Sequence, residues 1–108
     1  MNPAVVANMV LDAMSRHTGF NRNQFMGRSR RRPLAKYRLL AMTLTRWFSG
    51  GSHASVGTAF GNRSAWTSMH AEKQMREEVT RNKKIHNLSA VVTREVKAEM
   101  AKLTTHEY

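Results

Sequence analysis

Apolar residues recur at every third or fourth position along most of this chain, and glycines interrupt the recurrence. That spacing stacks side chains on one face of an α-helix; the every-second-position alternation of a strand is nowhere clear. Val6, Met9, Val10, Ala13 and Met14 form the first stripe, opened by Asn2-Pro3 as cap and first turn and closed by Thr18-Gly19. A short helix is predicted over 21–26, giving Phe20, Phe25 and Met26 to the core and stopped by Gly27. Tyr37, Ala41, Leu44 and Phe48 mark a long helix over 33–48, whose apolar stripe faces a core. Ser49-Gly50-Gly51 ends it. Ser52 caps a short helix over 53–60, Gly61-Asn62 turns the chain, and a longer helix starts at Arg63 or Ser64 and runs to Arg81. After a polar break over 82–87, Leu88, Val92, Val96, Met100 and Leu103 define a last helix over 88–103. The expectation is an all-α fold of about six helices, one domain over residues 1–108 with a single modest core.

Charge is distributed unevenly over this frame. The net charge is +11, and no Asp or Glu occurs in the 59 residues between Asp12 and Glu72. Ten Lys or Arg lie in that interval, while the other eight share the C-terminal part with six acids. A cationic stretch without internal acids repels itself. A polyanion relieves that repulsion, and the release of condensed counterions adds affinity. Cysteine is absent, which excludes disulfides and Cys-based metal or redox chemistry and fits a cytoplasmic protein. No apolar run is long enough for a membrane span, and the first residues lack the layout of a signal peptide. Neither a membrane nor a small-molecule substrate is expected as a partner.

Two helices joined by a short glycine-containing turn form a helix-turn-helix over residues 52–81. In that motif the start of the second helix meets base edges in the major groove. Arg63, Ser64, Trp66, Thr67 and His70 are the candidates, since 63, 66, 67 and 70 share one face; Ala65 and Met69 are expected to point more toward the core. Lys36, Arg38 and Arg46 project away from the stripe of the preceding long helix and are further candidates to meet DNA. The run Arg-Ser-Arg-Arg-Arg-Pro, residues 28–33, has no apolar anchor. Arg28, Arg30, Arg31 and Arg32 form either a solvated charge run or an arm for the minor groove or phosphates, and their place just before the supporting helix favours the arm. Trp66 either contacts DNA or folds onto the first motif helix as core; its polar neighbours favour DNA. Trp47 reads as structural, and the eight methionines as core filler.

These pieces resemble the C-terminal DNA-binding domain, domain IV, of the bacterial replication initiator DnaA. The matching segments are the basic loop leading into Arg-Leu-Leu-Ala-Met-Thr-Leu (38–44), the Ser-x-x-x-Val-Gly-Thr-Ala-Phe-Gly-Asn-Arg stretch (52–63) and Met-His-Ala-Glu-Lys-Gln (69–74). The resemblance runs from about Val5 to about Met100 and implies a small helical domain of the TrpR or DnaA domain IV type. It implies that Arg30 enters the minor groove, that Arg38 and Arg46 contact phosphate, and that Ser52, His53 and Ala54 hold backbone phosphate at a helix start. Arg63 then closes the turn, where Asn62 replaces the family's second glycine and tolerates a left-handed conformation. The departures fall on the reading residues. Where the family has Asp-His-Thr-Thr, this chain has Ser64, Ala65, Trp66 and Thr67, so DNA binding is expected to persist with a changed preferred sequence.

No ATPase module or phosphate-binding glycine loop is present, so a stand-alone domain is expected. The histidines at 17, 53, 70, 86 and 106 show neither a His-x₃-His pair nor a carboxylate at ligand spacing, so no metal and no cofactor is expected. No nucleophile, base and acid set suggests an enzyme. The leading reading is a sequence-specific double-stranded DNA-binding protein that regulates transcription, of phage or gene-transfer-element type, working in the bacterial nucleoid or the host cytoplasm. Such a regulator would need a second protein to link it to RNA polymerase. The alternative is a protein-interaction modulator of replication initiation, tied to the replication machinery. The Lys-Lys-x-His stretch at 83–86 and the mixed-charge last helix read either as a partner surface or, more simply, as a solvated helix closing the domain.

Overall fold

The computed structural model describes residues 1–105. It contains six helices and, among the described residues, no strand: α1 (Pro3–Thr18), α2 (Arg22–Met26), α3 (Leu34–Ser49), α4 (His53–Ala59), α5 (Ala65–Arg81) and α6 (Lys83–Thr105). Local chemistry sets the starts. Asn2 Oδ1 accepts from the Ala4 N–H at 2.7 Å with Pro3 in the first turn. Asn21 and Gln24 exchange side-chain bonds with each other's backbone N–H, a reciprocal box that lets so short a helix as α2 hold.

α3 is the central element, packed between α1 and α5 and touched also by α2, α4 and α6. One apolar stripe was the expectation for it. Instead, six consecutive residues from Leu40 to Thr45 are buried, while Tyr37 and Phe48 only edge the core. A helix with neighbours all around has no solvent face in its middle. The two threonines there return their hydroxyls to the Leu39 and Ala41 carbonyls, each at 2.8 Å, so neither hydroxyl is left open. The fully enclosed Phe25, Phe60, Leu11, Met14 and Met75 close the core around this helix.

The last helix begins five residues before the expected 88–103 segment. Asn82 alone separates α5 from α6, and its Oδ1 accepts from the Ile85 N–H at 3.2 Å. Ile85 is buried and extends the stripe of Val92 and Val96 backward, so the presumed polar break is a capped first turn. A carboxylate clasp then pins α6 to α1: Arg16 Nη2 lies 2.6 Å from Glu95 Oε1, and His17 Nε2 meets Oε2. These contacts hold Glu95 below the usual carboxylate range, the His17 hydrogen bond first and the Arg16 bond second. Among the described residues no helix is long and apolar enough to cross a membrane.

Candidate nucleic-acid interface

The turn between α4 and α5 is tight because two glycines allow it. A Cβ on Gly57 would stand 2.2 Å from the Arg63 carbonyl oxygen, and the Arg63 N–H donates to Gly57 O at 2.7 Å. Gly61 has φ +73° and faces the Met26 carbonyl, which a Cβ would meet at 2.7 Å. Asn62 follows at φ 58°, in the left-handed region that asparagine tolerates. Ser52 Oγ accepts from the Ser55 N–H at 3.1 Å to open α4, and Ser64 Oγ accepts from the Thr67 N–H at 3.3 Å to open α5.

α5 divides into two faces. Ser68, Ala71 and Met75 are buried against α3 and α4. Trp66 and His70 stand on the opposite side, with Trp66 69% exposed. Their rings are stacked, centroids 5.2 Å apart and planes 3° from parallel. The outward placement expected of Trp66, Thr67 and His70 is therefore seen in the fold, with Thr67 half-buried at the edge. Met69 differs: it was expected inward and is 53% exposed. A serine takes the inward position because His53 Nδ1 lies 2.9 Å from Ser68 Oγ and satisfies it.

Three expected DNA contacts are committed elsewhere. Arg38 is 6% exposed, and its guanidinium donates to the carbonyls of Phe25 (2.7 Å), Ser29 (2.8 Å) and Gln24 (3.0 Å). Arg63 donates to Phe60 O at 2.5 Å, to Met26 O at 3.3 Å and to Gly27 O. Lys36 Nζ sits 3.3 Å from Glu78 Oε2, tying α3 to α5. Arg38 and Arg63 are thus positioning residues: they cap α2 and fix both the basic loop and the turn. Burial lowers both pKa values, that of Arg63 to about 10, with the Arg38 and Arg28 charges adding to the effect on Arg63. Arg28 donates to Gly61 O at 3.0 Å while remaining exposed.

The loop arginines point to two places. Arg30 lines a concave site of about 310 Å³ together with Arg28, Arg38, Arg63 and Thr67, between the loop and the first turn of α5. Arg31 and Arg32 line a separate hollow on the side of Phe20 and Leu34. On the other flank of α5, Arg46 Nε donates to His53 Nε2 at 3.4 Å, and Ser52 and Ala54 are exposed at the start of α4. Ala65 is half-buried and Asn62 exposed at the turn.

Sequence reasoning missed Glu72, and it read Trp47 as structural without the partner that makes it so. The indole Nε1 of Trp47 donates to Glu72 Oε2 at 2.7 Å, and Oε1 lies 3.5 Å from His53 Nε2. Glu72 joins α3, α4 and α5 in one polar knot. The only signal in the sequence is that it is the first acid after the 59-residue gap. The fold also supplies carboxylates from distant positions to His17 and His53, which spacing alone did not offer. His106 lies outside the described residues, and no group of three His, Cys, Asp or Glu able to hold a metal occurs among those described.

A cationic loop and a capped, acid-free helix start on one side of a helix-turn-helix narrow the family. The model of the bacterial DnaA protein helix-turn-helix matches residues 7–75. The chain belongs to the bacterial DnaA helix-turn-helix family. That makes it a DNA-binding domain of DnaA type, with α5 as the second motif helix. The chromosomal replication initiator protein DnaA of Corynebacterium jeikeium is 28% identical over 94 residues, covering 87% of this chain and 16% of that protein. The DnaA proteins of Neisseria meningitidis and Neisseria gonorrhoeae are each 32% identical over 77 residues, 68% of this chain and 15% of theirs. The chain thus spans about one sixth of the DnaA relatives it matches.

Proposed function

We propose that the chain binds double-stranded DNA sequence-specifically, with the start of α5 in the major groove and the basic loop over 28–33 in the adjacent minor groove. The observation that carries this reading is the shared concave site: Arg30 of the loop and Thr67 of α5 line the same hollow. A single duplex can meet both at once. Trp66, Thr67 and His70 are the groups facing base edges, and Arg30 is the minor-groove side chain. Ser52, His53 and Ala54 at the start of α4, together with Arg46, hold the phosphates of one strand. Arg28, half-committed to Gly61, reaches phosphate near the turn. The proximity of Arg28, Arg38 and Arg63 supports the reading physically, because their mutual repulsion is relieved when a phosphate approaches.

A DnaA-type head whose reading residues are Ser64, Ala65, Trp66 and Thr67 addresses sites of its own. We read its task at those sites as regulation of transcription, through a second protein that contacts RNA polymerase. The reading is tested by titrating the protein onto a random-sequence duplex at several salt concentrations. The logarithm of affinity should fall with the logarithm of salt by a slope of about −0.9 for each phosphate neutralised, several units in all. A flat response would overturn DNA binding and leave the contact with the replication machinery as the surviving role.

A further inference from the structure

The polar groups at the start of α5 are already in use. Arg63 gives its guanidinium to the Phe60, Met26 and Gly27 carbonyls. Ser64 Oγ caps the helix and lies 3.2 Å from the Thr67 hydroxyl, so these two side chains bind one another. No acidic residue stands in the first turn to accept from a cytosine amino group. What remains at the centre of the outward face is the indole of Trp66. Phe25 and Phe60 are fully enclosed, and Trp47, though 43% exposed, gives its indole N–H to Glu72, whereas Trp66 at 69% is the most exposed large hydrophobic side chain among the described residues. The ring does not fold back onto α4. It is held against the His70 imidazole, with the exposed Met69 beside it on the wall of a hollow of about 450 Å³. The one strong hydrogen-bonding group of an indole is a single N–H donor, so most of this surface can only make apolar contact. In the major groove the base-edge feature read by apolar contact is the C5 methyl of thymine.

We infer that the Trp66–His70 stack is the specificity element of the interface and reads pyrimidine 5-methyl groups. Discrimination at the centre of the site then comes from burying methyls on a preset aromatic surface. His70 holds the indole in one orientation, so little side-chain freedom is lost on binding. Lys73, one turn further along, and the arginines of the loop supply the charge that brings the duplex to this surface.

The inference rests on the DNA-binding reading, and one experiment separates the two. Duplexes selected by the protein from a random pool are resynthesised with each thymine in turn replaced by uracil, which keeps the hydrogen-bonding edge and removes only the methyl. Wild-type protein should lose about fourfold in affinity at one or two positions, the value of one buried methyl. Trp66→Ala should bind the thymine and uracil duplexes equally, measured at low salt where phosphate contacts still hold the complex. Its far-UV circular dichroism should match wild type, since the ring lies outside the core. His70→Ala should reduce the thymine preference by freeing the indole. Tight binding with no response to uracil at any position overturns the methyl reading and leaves DNA binding standing, as does a thymine preference that survives in Trp66→Ala. Failure to select any duplex overturns both.

Discussion

Arg38 and Arg63 divide four consecutive carbonyls between them. Arg38 serves Gln24 and Phe25, and Arg63 serves Met26 and Gly27, so the C-terminal end of α2 is capped by one side chain from α3 and one from the turn between α4 and α5. Each arginine has one further acceptor: Ser29 in the basic loop for Arg38, and Phe60 beside the turn for Arg63. The planar fork of a guanidinium suits this, because its fixed donors span adjacent carbonyls. The loop and the turn are therefore set relative to each other through α2, even though α2 itself touches no DNA in the proposed complex.

Replacing Arg63 by leucine should cost about 3 kcal/mol of stability, because it leaves partly buried carbonyls without donors. Arg38→Lys should recover little of the Arg38→Leu loss, since an ammonium group cannot reach three separated carbonyls in the same geometry. Urea unfolding of the four proteins checks this. Duplex affinity should fall in parallel with the loss of loop order, and a full-affinity Arg63→Leu protein would show that the clamp does not position the interface.

Gly57→Ala tests the turn. The added methyl would sit 2.2 Å from the Arg63 carbonyl and 2.8 Å from that of Ser64, both backbone atoms that cannot swing away. The expected cost is about 3 kcal/mol or more, at the upper end for overpacking. The angle between α4 and α5 must open to relieve it, so duplex binding should be lost even in the fraction that stays folded. Thermal denaturation and a binding titration on the same sample separate the two effects.

Acid sensitivity should come in part from Glu95. Its folded pKa lies below its unfolded value because His17 and Arg16 favour the carboxylate. A depressed acid contributes stability that is in full force above the unfolded value, near 4.5, and is lost as pH falls through the folded value. Glu95→Gln should therefore be less stable than wild type at pH 7, and the gap should be narrower at pH 3. Urea midpoints at the two pH values give the comparison; a gap that stays constant would mean that the clasp contributes only as a neutral contact.

The elements that the sequence made plain are those governed by neighbours in the chain. Asn2-Pro3, Ser52, Gly61-Asn62 and Ser64 each act within four residues, and each does in the fold what its type suggests. Asn82 obeys the same rule, but two lysines between it and Ile85 gave the segment the look of a break. The tasks of the arginines were less legible. Sequence gives the sign of a charge and not its distance from a carbonyl thirteen or thirty-six residues away, so Arg38 and Arg63 looked like Arg30. Met69 left its expected inward face for a related reason: hydropathy sends a methionine inward, while Ser68, with a half-buried histidine partner, can take that place.

The loop arginines offer the sharpest separation, because three adjacent side chains of the same type face two hollows. Arg30 shares its hollow with Thr67, whereas Arg31 and Arg32 line the one beside Phe20 and Leu34. Arg30→Ala should lower duplex affinity by about tenfold or more and flatten the preference at the A·T-rich positions next to the α5 footprint, as expected when a minor-groove side chain is removed. Arg31→Ala and Arg32→Ala should each weaken binding to all sequences alike, by less, and reduce the salt slope by at most about one unit. Selection from a random pool with each variant reads both quantities at once. Equal losses at all three positions, with sequence preference unchanged, would mean that the loop acts as a diffuse cationic cushion and that the hollow shared by Arg30 and Thr67 does not grip the groove.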